Sequence, residues 1–332
     1  MTTAEILQNF RSMSALVVGD ICLDRWCSYD AGLMQPSRET GIPRVAVIRT
    51  EVTPGAAGTV ANNLAALGVG KVAVLGAFGT DGFGFELRRA LTRRGILSNL
   101  CIESEKLQTF TYTKIINRDT GVEDQPRLDF INNSALPGDL DEAIARNLEN
   151  AVGSFDVILV SDQAETMQGG VVTPLLRSVL TRLASQYSNK VFFVDSRERL
   201  HEFRGLTIKA NEDEVGAACA RINARSDYQL LLHHTEAPLL FVTRGPRGVL
   251  AFDCVERYAI ETEPVQNPVD ICGAGDSFSA GAAMALAVTG SAHQAAYFGN
   301  LVASITIMKP GTGTASPEEV LEKEATSHVS RH

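Results

Sequence analysis

Asn267-Pro268-Val269-Asp270-Ile271-Cys272-Gly273-Ala274-Gly275-Asp276-Ser277-Phe278 is the stretch from which the rest of the chain is read. Pro268 and the glycines hold the backbone out of a regular helix until Asp276, and the residues from Ser277 to Leu286 are then small, apolar and helix-like. Three residues with almost no side chain, Gly273, Ala274 and Gly275, thus stand where a helix begins and its first N–H groups lack partners. Such a terminus attracts anions through those donors and through the positive end of the helix dipole. Asp276, in the first turn, sits beside this hole in position to take a proton from an attacking hydroxyl. Donors for developing charge and a carboxylate for the nucleophile together make a phosphoryl-transfer device. The same string also reads as an ordinary capping aspartate after a glycine-rich turn, with the glycines serving tight packing.

Outward from this stretch, short apolar runs alternate with amphipathic helical ones, the βαβ pattern of a mostly parallel α/β sheet. Buried strands are predicted at Ala15–Gly19, Lys71–Gly76, Phe155–Ser161, Val191–Val194 and Leu239–Thr243, and helices at Phe83–Arg94, Val172–Tyr187, Asp276–Val288 and His293–Met308. Residues 25–50 and 107–132 break the pattern. They alternate polar and apolar side chains, most clearly from Thr109 to Ile115, and read as antiparallel strands of a small lid sheet. A further hairpin is predicted from Gly248 to Glu261, and fraying from Ser327 to His332. One domain over residues 1–332 with a lid fits better than two domains, because no repeat, low-complexity tract or linker interrupts it.

Composition narrows the function. Of 332 residues, 45% are hydrophobic and 21% charged, and 30 Lys+Arg against 39 Asp+Glu give a net charge of −9. A nucleic-acid-binding surface is normally net basic, so such a partner is not expected. No apolar run approaches the ~18 residues of a membrane span, and Met1–Ser14 lacks the apolar core of a signal peptide. Cys22, Cys27, Cys101, Cys219, Cys254 and Cys272 form no CxxC pair, which suits a reduced, cytoplasmic setting. His201-Glu202 lacks the second histidine of a zinc motif, and no Gly-Lys-[Ser/Thr] P-loop occurs.

Asp270 to Asp276, read as Asp-x-x-Gly-Ala-Gly-Asp, resembles the C-terminal motif of the ribokinase-like, phosphofructokinase-B type carbohydrate kinases. Further stretches follow in family order: Val17–Asp24, Pro54-Gly55-Ala56-Ala57-Gly58 with Val60–Gly68, Gly76–Gly84, Asn211-Glu212-Asp213-Glu214 and Thr243–Gly248. Within the family, Gly19–Trp26, Asp195–Gly205 and Lys309–Pro317 are similar to the heptose-7-phosphate kinases. That group normally carries Pro-Gly-Gly-Ala-Ala-Asn where this chain has Pro54-Gly55-Ala56-Ala57-Gly58-Thr59, so a glycine is replaced by Ala56 and an amide by the Thr59 hydroxyl. A swap at a sugar-contacting position alters substrate choice by unpairing buried polar groups. The reaction class carries over; the heptose does not.

The resemblance implies a three-layer ribokinase-like sandwich, ATP and Mg²⁺ as cofactors, in many relatives K⁺, and often a dimer paired through the lids. It implies Asp276 as catalytic base, with the amides of Gly273, Ala274 and Gly275 cradling the phosphoryl group. Asp24 would bind sugar hydroxyls, with Asp20 either joining it or serving the turn; both follow a strand into a loop where α/β folds place ligands. Gly55, Ala56, Thr59 and Asn63 would line the sugar site, although Asn63 equally packs or caps. Asn211 and Glu214, one helical turn apart, would organise water-bound Mg²⁺; the same pair also reads as a capping box. Lys209 steadies phosphates or is a solvated strand end. Thr243, Gly245, Gly248 and Asn300 would flank adenine and ribose, and Asp270 with carbonyls near Gly311 and Gly313 would hold a monovalent cation. For a phosphorylated substrate, Arg38, Arg44, Lys114 and Arg127 in the lid strands are candidate clamps. The expectation is an ATP-dependent kinase of a sugar or sugar phosphate; a nucleoside or other small-molecule kinase, or a non-catalytic sugar or nucleotide sensor, stays open.

Overall fold

Alternate side chains of one strand sort the molecule's two largest cores: Ala15 and Val17 enter one, Leu16 and Val18 the other. The structure is a computed structural model that describes residues 1–332 except 165, 167, 224–226, 254, 263–264 and 330–332, with the side chains of 327–329 also left aside. Cys254 and the last three residues therefore lie outside the described residues.

The chain opens with helix α1 (Thr3–Phe10) and strand β1 (Ser14–Gly19). Strands β2 (Ile21–Tyr29) and β3 (Val47–Ala56) leave the main layer, and helix α2 (Ala57–Ala66) returns to it ahead of β4 (Lys71–Leu75). Next come β5 (Ala77–Gly79), α3 (Gly82–Arg93) and β6 (Ile102–Ser104), then a second excursion of β7 (Thr111–Asn117) and β8 (Leu128–Phe130). Helix α4 (Gly138–Ala151), β9 (Val157–Asp162), α5 (Pro174–Gln186), β10 (Val191–Ser196) and β11 (Thr207–Asn211) follow. The rest is α6 (Glu212–Arg221), α7 (Tyr228–Thr235), the strands β12 (Leu240–Thr243), β13 (Val249–Phe252) and β14 (Arg257–Ile260), and helices α8 (Ala274–Thr289), α9 (Ala292–Thr306) and α10 (Pro317–Val329).

The main sheet has the order β14-β13-β12-β11-β10-β9-β1-β4, parallel from β4 to β12 and closed by the antiparallel β13–β14 hairpin predicted at Gly248–Glu261. One face packs on α2, α8 and α9, the other on α4, α5 and, further along, α6 and α7, so the parallel strands are covered on both faces and are mostly apolar. The five predicted strands all form, and β11 is added; its Thr-Ile-Lys-Ala-Asn run hides a charged residue that burial alone would exclude. The small sheet has the order β3-β2-β7-β8. Its outer pairs are antiparallel as expected, but the central β2–β7 pair is parallel, because each strand leaves the main layer in the same direction. Residues 30–46 add no strand beyond an isolated Pro36–Pro43 bridge. Helix α8 begins at Ala274 rather than Asp276, with Gly273 capping it at φ +77°, and α10 is helical through Val329. Among the described residues, no helix is long and apolar enough to cross a membrane.

Candidate active site

The carboxyl ends of the parallel strands meet the N-terminus of α8 and the base of the small sheet around a pocket of about 120 Å³. Asp24, Ala56, Thr59, Gly273 and Asp276 all line it, so five residues separated by up to 252 positions of sequence are brought together. Lys114 and Arg127 also line it, and with them Arg25, Trp26, Arg197, Cys272 and Thr312, none of which the sequence reading assigned to the pocket. Arg197 follows directly on β10, where the strand-end rule places ligands, and Arg25 and Trp26 sit on β2 at the end of the Gly19–Trp26 run, which gave them no role of their own.

The cradle differs in one detail from expectation. The Ala274 amide donates to Ile271 O at 3.2 Å, so it is engaged in the turn that enters α8. Helical bonding starts with the Ser277 amide donating to Gly273 O at 2.9 Å, which leaves the amides of Gly275 and Asp276 without intrahelical partners. Behind them a Cβ on Gly275 would come within 2.8 Å of Lys209 Nζ, so a side chain there would push on that ammonium group. Lys209 is buried and donates to Asp195 Oδ2 at 2.7 Å; it is no solvated strand end. Ser279 Oγ donates to the same carboxylate oxygen at 3.0 Å.

Burial and the nearby Asp195 charge push the Asp276 carboxyl up to about 7, against the opposing pull of Lys209 and Arg197. A carboxyl that ionises near neutrality is a competent general base. Asp24 is raised to about 6 by burial, held down in part by its Cys22 hydrogen bond and by Lys114, Arg127 and Arg197. Gly55 is pressed against it, since a Cβ there would come within 2.3 Å of Asp24 Oδ1. Arg127 pairs with Asp129 at 2.6 Å and lies over the Tyr112 ring, while Lys114 is 3.8 Å from Glu123. Arg25 stacks over Phe83, and its Nε is buried with no hydrogen-bond partner.

Other expected residues fall elsewhere. Asp20 does not line the pocket: its carboxylate accepts from the amides of Gln163, Ala164 and Val171 at 2.8–2.9 Å and so serves the loop after β9. Asn63 is buried within α2, its amide donating to Thr59 O. Arg38 and Arg44 stand exposed on the 30–46 segment, away from the pocket, because that segment carries no sheet register to aim them inward.

Asn211 and Glu214 form a capping box: Glu214 N donates to Asn211 Oδ1 at 2.8 Å and Asn211 N to Glu214 Oε2 at 2.7 Å. Burial raises the Glu214 carboxyl, partly offset by Lys209. Asn211 is registered beside Thr243 at the sheet's carboxyl edge. Gly245 and Gly248 shape the following turn at φ +55° and +78°, and Gly248 packs against Thr262, to which the Asn300 amide donates. Asn300 also lines a second cavity, of about 290 Å³, along α9. Asp270 ties the two glycine segments together, accepting from Cys272 N at 2.9 Å and Gly311 N at 3.2 Å. Among the described residues, no cluster of three or more His, Cys, Asp or Glu side chains is arranged to hold a metal.

The architecture matches solved α/β kinases. Phosphofructokinase-2 from Escherichia coli, in complex with potassium, superposes with a TM-score of 0.71 at 18% identity, over 95% of this chain and 99% of that one. Ribokinase from Thermotoga maritima gives 0.69 at 20% identity, over 94% and 99%. The fold is thus the ribokinase-like kinase fold. The model of the pfkB family carbohydrate kinases matches residues 15–319, and the chain belongs to that family. It is similar to the bifunctional protein HldE of Citrifermentans bemidjiense, 32% identical over 93% of this chain and 63% of that protein. It is also similar to HldE of Trichlorobacter lovleyi, at 28% over 97% and 65%. The chain therefore spans just under two thirds of the length of these relatives.

Proposed function

We propose that the protein transfers the γ-phosphoryl group of ATP to a hydroxyl of an already phosphorylated sugar. The observation that carries this reading is the charge of the pocket: Arg25, Lys114, Arg127 and Arg197 converge on the space shared by Asp24 and Asp276. A neutral sugar has no use for four cations, whereas a phosphate monoester takes guanidinium groups bidentately and an ammonium group as a point charge.

In this mechanism Asp24 orients the sugar by accepting from its hydroxyls, and the cationic side chains hold its phosphate. Asp276 takes the proton of the attacking hydroxyl at its carboxylate oxygen. The amides of Gly275 and Asp276 then stabilise charge spreading over the moving phosphoryl group, with Lys209 adding positive potential from behind. The small sheet acts as a lid that excludes water and so limits wasteful ATP hydrolysis. The nucleotide lies along the edge from Asn211 and Thr243 past Gly245 and Gly248 to Asn300.

Mg²⁺ fits this site as an ion held through water: it needs only one or two carboxylates, and Glu214 keeps one oxygen outside its capping box. Bound with ATP, it supplies charge neutralisation of the phosphates. A monovalent cation at Asp270 and the carbonyls near Gly311 and Gly313 belongs to the same reading. So does a homodimer through the lids, supported by Leu33, Ile42, Val45, Val47 and Ile48, all exposed on the small sheet and its loop. The unpaired thiols of Cys22, Cys27, Cys101 and Cys272 agree with a cytoplasmic setting. The test is ADP release with MgATP and a panel of sugars, sugar phosphates and nucleosides, a heptose 7-phosphate among them. ADP formation that needs a phosphorylated sugar supports the reading. Turnover on nucleosides alone, or binding with no ADP formed, overturns it.

A further inference from the structure

We infer that Ala56 is a specificity-determining residue, a steric stop held in the acceptor pocket at the expense of backbone strain; this rests on the acceptor reading above. Ala56 adopts φ +53° and ψ −118°, a conformation glycine takes freely and an alanine does not. The other non-glycine residues with positive φ among the described ones are Asn223, Glu236 and Asn267, and none lines this pocket. Strain of this kind survives only where the surroundings over-determine it, and here they do. On one side a Cβ on Gly55 would already overlap Asp24 and Cys22, and on the other a Cβ on Gly58 would come within 2.5 Å of Pro54 Cβ. The Ala57 amide donates to Asp20 O at 2.9 Å, and Thr59 Oγ donates to Pro54 O at 3.3 Å. The turn cannot shift to relieve Ala56 without displacing one of these contacts.

A glycine would satisfy the backbone, so the methyl group's consequence is in the pocket it lines. There the space measures about 120 Å³, and a methyl group fills on the order of one water's share, ~30 Å³. It also offers no hydrogen bond. An acceptor must therefore turn a C–H edge, not a hydroxyl, toward residue 56 while its reacting hydroxyl faces Asp276. Sugar phosphates that differ only in the configuration of one carbon are separated at this point, because a hydroxyl turned onto the methyl loses both room and hydration.

Trp26 is the sole tryptophan and lines the same pocket, so its emission reports acceptor binding without ATP or turnover. The experiment compares wild type with Ala56→Gly, titrating epimeric pairs of pentose, hexose and heptose phosphates against Trp26 fluorescence and recording thermal unfolding of both proteins. Glycine should raise the Tm by roughly 2–6 °C, as strain is released. It should also lower the Kd ratio between the preferred sugar phosphate and its best-excluded epimer by about 10-fold or more. A Tm that stays or falls, or Kd ratios unchanged within twofold, overturns the inference and leaves the kinase reading standing. A wild type that binds none of the sugar phosphates overturns both.

Discussion

The ammonium of Lys209 and the carboxylate of Asp195 form a buried pair, 2.7 Å apart, directly behind the backbone of Gly275. Two strands and one helix thus fix the electrostatics beneath the glycine cradle. The pair costs desolvation on both sides, and breaking it leaves one charge uncompensated. Lys209→Met should therefore destabilise the fold by about 3–5 kcal/mol, read by denaturant unfolding. The double variant Lys209→Met, Asp195→Asn should recover much of that loss, since no lone charge remains. Equal losses in the single and double variants would dissolve the argument.

Asp276→Asn should cost about 10²-fold or more in kcat while ATP binding stays near normal. It should also stabilise the protein, with a pH dependence whose sign follows from the raised pKa. Between the unfolded value near 3.8 and the folded value near 7, the folded wild type holds a proton that the unfolded chain has released, so wild-type stability falls as pH rises. Asparagine has no such group. The Tm advantage of the variant should be small at pH 4–5, grow through pH 7 and level off above it.

For wild-type turnover, the active form of Asp276 is the carboxylate. The kcat/KM profile should lose activity below about pH 7, and its slope should steepen below about 6 as Asp24 also protonates. A flat profile from pH 5.5 to 8 would contradict the assignment of the base.

Arg197→Met and Lys114→Met should each raise KM for a sugar phosphate by about 10- to 100-fold, as expected for losing a charge-assisted hydrogen bond. The corresponding unphosphorylated sugar, itself a poor acceptor, should be little affected. A loss in kcat that is the same for both acceptors would move these residues from phosphate binding to general support.

Much of this arrangement is legible in the chain because it is built from local rules. The GAGD stretch opens a helix, strands buried on both faces read as apolar runs, and period-two alternation marks β7. What escaped the reading depends on distance. Lys209 looks like a solvated strand end until Asp195, 14 residues away, is seen to neutralise it. Asp20 and Asp24 follow the same strand, yet one is spent on three amides of a loop more than 140 residues on, and the other faces the pocket. Arg38, Arg44, Lys114 and Arg127 look equivalent in sequence. Strand register delivers Lys114 to the pocket and leaves the arginines of the 30–46 loop outside. The parallel β2–β7 pairing joins segments some 90 residues apart and has no local mark at all.

The most direct test of the central claim is the rate of ADP formation from MgATP with a sugar phosphate against the same sugar lacking its phosphate. The cationic pocket predicts that kcat/KM for the phosphorylated acceptor is higher by 10²-fold or more, in line with several charge-assisted contacts acting together. Equal rates on the two acceptors, or a preference for the neutral sugar, would contradict it.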